Sequence, residues 1–151
     1  MSADNINKLV EAGIEVLERY AFMLGGPPKT EGEPVLLAEP SWMVTVAFAG
    51  ARSGAIGMIV PPALARQAAA NLYGGEPAQM DDERAQDAVK ELLNIVCGNY
   101  LHQVEGDGPV FDFAAPECRV VTRAEAVQCA GGKPQAALEV EGHPLLWFIE
   151  R

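Results

Sequence analysis

The chain has 151 residues, about half of them hydrophobic, and a formal net charge of −10, which predicts a single domain over residues 1–151 whose core needs no covalent staple. Lysine occurs only at Lys8, Lys29, Lys90 and Lys133. The absence of a basic stripe argues against nucleic acid or an anionic membrane surface as partner, since both are held by Lys and Arg. Three cysteines, Cys97, Cys118 and Cys129, form an odd set without CxxC spacing, and His102 and His143 lie far apart. Neither a disulfide framework nor a metal site is expected from them. The apolar runs are far shorter than a bilayer span. The acidic, amphipathic start MSADNINKLVEAG lacks the pattern of a signal peptide, so the expected location is the cytoplasm.

In chain order, residues 5–24 read as a helix. Ile6, Leu9, Val10, Leu17, Tyr20, Ala21 and Leu24 share one face at about 100° per residue, with Glu11, Glu15 and Glu18 opposite. Gly25-Gly26-Pro27-Pro28 supplies a stop, and a polar, proline-containing connector runs to about Pro40. Met43–Phe48 and Ala55–Val60 read as two strands of a hairpin, joined by the small residues of 49–54. Pro61-Pro62 can open a second helix, which Gly74-Gly75 closes after Tyr73. Asp81, Asp82 and Glu83 provide the cap and first-turn charge for a third, longest helix reaching about Gln103. Pro109–Phe113, Cys118–Thr122, Gln135–Val140 and Leu145–Ile149 are strand candidates, with a turn at 141–144. Helices and strands do not alternate singly, which favours an α+β layered fold with a largely antiparallel sheet packed against two long helices. No glycine-rich phosphate loop follows a strand.

The third helix separates its residues sharply. Val89, Leu93, Val96, Tyr100 and Val104 fall on one apolar face. Asp87, Glu91, Asn94 and Gly98 follow one another at three or four positions on the opposite face, with Arg84, Ile95 and His102 beside them. Glu91 and Asn94 therefore project together as an E-x-x-N pair. On the residues alone this is either a solvated helix face or a site. The second carboxylate of a glycosidase is missing, and no Ser, Cys or Lys nucleophile stands next to a plausible base in sequence. Gly98 costs a helix interior roughly 1 kcal/mol relative to alanine. It marks either a close approach by another backbone or an early helix end.

The segment Asp87-x-x-x-Glu91-Leu92-Leu93-Asn94-Ile95-Val96-Cys97-Gly98-Asn99 resembles the signature of the CheX, CheC and FliY chemotaxis phosphatases. The hairpin strand Gly54–Val60, the helix ending Tyr73-Gly74-Gly75 and the acidic linker before the signature helix resemble the family in the same order. The resemblance implies a CheC-like fold. It also implies hydrolysis of the aspartyl phosphate of a CheY-type response regulator, with Asn94 orienting the attacking water and Glu91 pairing with the regulator's lysine. Asp87, Gly98 and Ile95 would belong to the contact surface. The family implies no cofactor of the chain's own: Mg2+ would arrive with the phosphorylated partner. Two-site members carry a second E-x-x-N on the first helix, where this chain has Glu15-x-x-Glu18, so one site per chain is expected. The CheX branch implies a homodimer, for which the C-terminal strands could supply a sheet edge. The alternative function is a non-catalytic docking module for a response regulator or a flagellar switch protein.

Overall fold

The computed structural model describes residues 2–27, 37–106, 108 and 110–150. It has four α-helices, α1 (Ser2–Ala21), α2 (Pro62–Tyr73), α3 (Asp82–Glu105) and α4 (Arg123–Ala130). Its strands are β1 (Gly25–Gly26), β2 (Ser41–Gly50), β3 (Gly54–Val60), β4 (Phe111–Phe113), β5 (Glu117–Val121), β6 (Gln135–Val140) and β7 (His143–Glu150). All pair antiparallel in one sheet of order β1-β6-β7-β3-β2-β4, and β5 joins β4 on the same side of β2. The predicted hairpin is β2–β3, with Trp42 opposite Val60 and Phe48 opposite Gly54.

Period-two alternation gives the sheet two apolar faces. Trp42, Val44, Val46 and Phe48 of β2, Ile56, Met58 and Val60 of β3, and Leu145, Trp147 and Ile149 of β7 join α1, α2 and α3 in the main core. The residues between them, Met43, Ile59, Leu146 and Phe148, face the other way and pack with Ala126 and Ala130 of α4. The sheet thus lies between a three-helix layer and one short helix.

Helix α3 occupies the middle of the helix layer, packing against both α1 and α2. Its start follows the sequence expectation: the Arg84 backbone N–H donates to the Asp81 side chain at 2.8 Å. Helix α2 starts at Pro62 and stops at Gly74, whose φ is 82°. Small residues let α2 and α3 approach, with Ala69, Ala70 and Met80 packed on Ala88. An Arg66–Asp82 ion pair joins the start of the two helices. At the other end of α2, Asn71 Nδ2 donates to the Ala21 carbonyl at 2.7 Å, tying the end of α1 into the layer.

Several sequence expectations need correction. The apolar period of α1 continues on paper to Leu24, but the helix ends at Ala21. Phe22 takes a left-handed φ of 56°, Met23 turns inward to full burial, and Tyr20 and Leu24 are left exposed. Gly25-Gly26 is more than a stop: it pairs with β6 as a two-residue edge strand. Residues 28–36 of the expected connector lie outside the described residues, as does Pro109. Val104 is half-buried rather than fully in the core. The fourth helix is absent from the sequence reading. Its signal is Thr122-Arg123-Ala124-Glu125, a capping box in which Glu125 N–H donates to Thr122 Oγ1 and Thr122 N–H to Glu125 Oε1. His143 and Pro144, expected in a turn, already belong to β7. Of the two C-terminal strands, β7 runs between β6 and β3, while β6 lies next to the sheet edge and, among the described residues, pairs on its outer side only with β1, at Glu139 and Val140.

Candidate active site

The candidate site is the outward ridge of α3. Burial of Val89, Leu92, Leu93, Val96, Cys97, Tyr100 and Leu101 against the sheet and the neighbouring helices fixes the helix's rotation about its axis. The same rotation sends Arg84, Asp87, Glu91 and Asn94 into solvent. Glu91 and Asn94 stand one turn apart on the same face. The structure therefore brings together the acid and carboxamide singled out from sequence, with Asp87 one turn earlier.

Gly98 continues this ridge deep inside the helix, which runs seven residues further to Glu105; it is not a helix end. A Cβ built on Gly98 would meet nothing within 4 Å. Among the described residues no group needs the missing side chain, and the space is open to a partner. Ile95 is different from the other contact candidates. It is half-buried and packs against the main core, so only part of its side chain remains for another protein.

One residue of the site was not singled out from sequence. Tyr73, the last residue of α2, donates from its hydroxyl to Glu91 Oε2 at 3.4 Å. Partial burial pushes the Tyr73 phenol pKa up, and the negative charges of Glu91 and Asp87 add to that rise. The phenol thus stays protonated and able to donate. In sequence, Tyr73 reads only as a helix end before two glycines. Its contact with Glu91 spans 18 positions and two helices.

The thiols of α3 and β5 are poor nucleophiles. Burial pushes Cys97 up to about 12. It pushes Cys118 up to about 11, with the nearby Lys90 ammonium acting in the opposite direction. Both are thiols rather than thiolates at neutral pH. The exposed ridge instead offers an anionic carboxylate and a neutral carboxamide. The first can hold a cation, and the second can both donate to and accept from a water molecule. Among the described residues, no group of three or more His, Cys, Asp or Glu could hold a metal ion. No described helix is long and apolar enough to cross a membrane.

An antiparallel sheet backed by three helices, with α3 central and its polar ridge outward, is the CheC-like α+β architecture. A CheC-like superfamily protein from Shewanella sp. PV-4 has the same fold, with TM-score 0.70 and 20% identity over 99% of this chain and 98% of its own. A family model described as chemotaxis phosphatase CheX matches residues 42–141, and the chain belongs to that family. The chemotaxis protein CheX from Vibrio vulnificus superposes with TM-score 0.71 and 19% identity, covering 99% of this chain and 97% of that one. CheX from Borrelia burgdorferi, in a complex with CheY, BeF3 and Mg2+, gives TM-score 0.66 and 22% identity over 98% and 97% of the two chains. No curated protein matches the chain by sequence at a significant level.

Proposed function

We propose that this protein hydrolyses the aspartyl phosphate of a CheY-type response regulator, with one site per chain on the α3 ridge. The observation that carries this reading is that Glu91 and Asn94 are both exposed, one turn apart, on a helix whose opposite face is fully buried. In this reading the Asn94 carboxamide orients a water in line with the phosphorus. The water oxygen bonds to phosphorus as the bond to the aspartyl oxygen breaks. The regulator's carboxylate and inorganic phosphate leave, and the proton lost by water passes to phosphate and solvent. Phosphoryl transfer of this kind depends on positioning and charge stabilisation more than on covalent help. Glu91 makes a charge-assisted bond to the regulator's lysine and sets the docking register. Asp87, Gly98 and the exposed part of Ile95 extend the contact. The Mg2+ that offsets phosphoryl charge is the regulator's.

Support comes from family membership and from the Borrelia burgdorferi neighbour, a complex of CheX with CheY. On α1 the corresponding pair is Glu15 and Glu18, and Glu15 lies 3.5 Å from Arg19. That pair lacks the carboxamide of the α3 pair, which is consistent with one site per chain. The reading takes residues 1–151 as one domain, in the cytoplasm with its regulator, and as a homodimer.

The test is phosphate release from phosphorylated response regulators with the wild-type chain, Asn94→Ala and Glu91→Ala. Loss of release in both variants, with binding retained in Asn94→Ala, supports hydrolysis at this site. Binding by the wild type without release would identify a docking module instead.

A further inference from the structure

The carboxylate on which regulator docking depends has a partner from a second helix. Tyr73 Oη donates to Glu91 Oε2 at 3.4 Å, the long end of the hydrogen-bond range. The ring also lies in the field of Asp87, one turn earlier on α3. Its backbone is well placed: α2 is held on α3 by the contact of Ala69 and Ala70 with Ala88, and Gly74 ends the helix directly after Tyr73. A glutamate on an open helix face loses side-chain freedom when it docks. A donor fixed to a neighbouring element removes part of that freedom before the partner arrives. The bond does not use up the acceptor, because an ionised carboxylate has about four lone-pair sites on two oxygens. With Oε2 engaged by Tyr73, Oε1 remains for an incoming ammonium.

We propose that Tyr73 is a positioning residue that holds the Glu91 carboxylate on the α3 ridge in the orientation that meets the partner's lysine. The inference rests on the phosphatase reading of Glu91 and Asn94 and deepens it: the recognition surface spans α2 and α3, and Tyr73 acts on docking through Glu91.

Tyr73→Phe tests this, since it keeps the ring and removes only the hydroxyl. The probe is a CheY-type regulator loaded with beryllofluoride and Mg2+, titrated against wild type, Tyr73→Phe, Glu91→Ala and the double variant. Tyr73→Phe should weaken Kd roughly twofold to tenfold in the wild-type background, the cost of ordering one side chain on docking. With phosphorylated regulator the loss should fall on KM rather than kcat. In the Glu91→Ala background it should have no effect. A second readout needs no partner: Glu91→Gln should lower the pKa of the Tyr73 phenol, followed by NMR of labelled tyrosine. Unchanged binding by Tyr73→Phe, the same loss without Glu91, or a Tyr73 titration indifferent to Glu91→Gln would each overturn the proposal. If the wild type binds but releases no phosphate, hydrolysis fails while the affinity comparison still decides the role of Tyr73. If it binds no regulator at all, both fall.

Discussion

Gly13 of α1 lies against the Trp147 ring of β7 so closely that a Cβ there would meet Trp147 Cζ2 at 2.7 Å. Trp147 is almost completely buried and cannot swing aside. Alanine at position 13 would gain up to about 1 kcal/mol of helix propensity but overpack the interface by about 1–3 kcal/mol. Gly13→Ala should therefore lower stability, seen as a reduced urea midpoint. A rise would mean that α1 does not approach the sheet this closely.

Gly98 should respond with the opposite sign. Outside its own turn of helix, no atom of the described residues lies within 4 Å of its hypothetical Cβ, so Gly98→Ala should raise stability by about 0.5–1 kcal/mol through the helix term alone. The same methyl would stand on the ridge where a regulator docks, and regulator affinity should fall. A more stable variant with unchanged affinity would remove Gly98 from the contact surface.

Asn94 makes no packing contribution to the core, so Asn94→Ala should change stability by no more than about 0.5 kcal/mol. If it orients the water, kcat for dephosphorylation should drop on the order of 100-fold to 1,000-fold, the range seen when one positioned polar group is removed from a transition state. Regulator binding should persist. A variant that retains most of its turnover would place the chemistry elsewhere.

Glu125 gives a pH signature to α4. Hydrogen bonding to Thr122, first through its backbone N–H and then through its side chain, holds the Glu125 carboxyl below its ordinary pKa. A group whose folded pKa is depressed stabilises the fold above its unfolded pKa and loses that contribution as pH falls through the folded value. Thermal midpoints of wild type and Glu125→Gln should thus differ most at neutral pH and converge in acid. A gap that widens on acidification would contradict the capping-box geometry.

Much of the site was readable in advance because its signals are local. The apolar period of residues 89–101 sets which side of α3 is buried, and that leaves Glu91 and Asn94 outward whatever the helix packs against. The acidic cap at Asp81 and the prolines and glycines around α2 likewise bound their helices by short-range hydrogen bonding and sterics. The end of α1 was less readable, because the apolar period runs past Ala21 and the stop is a left-handed Phe22. That conformation lets Met23 turn into the core. The capping box of α4 was present in the residues, but the short helix has almost no amphipathic period.

The two faces of α3, the β2–β3 hairpin and the acid–carboxamide pair follow from the residues alone, because each depends on residues within a few turns or one hairpin. That β7 runs inside the sheet, that α4 covers its second face and that Tyr73 meets Glu91 emerge only once the chain is packed. Those outcomes depend on which apolar surfaces fit together over long separations. Strand period alone carries no register or partner, and a helix end carries no record of what it will stand beside.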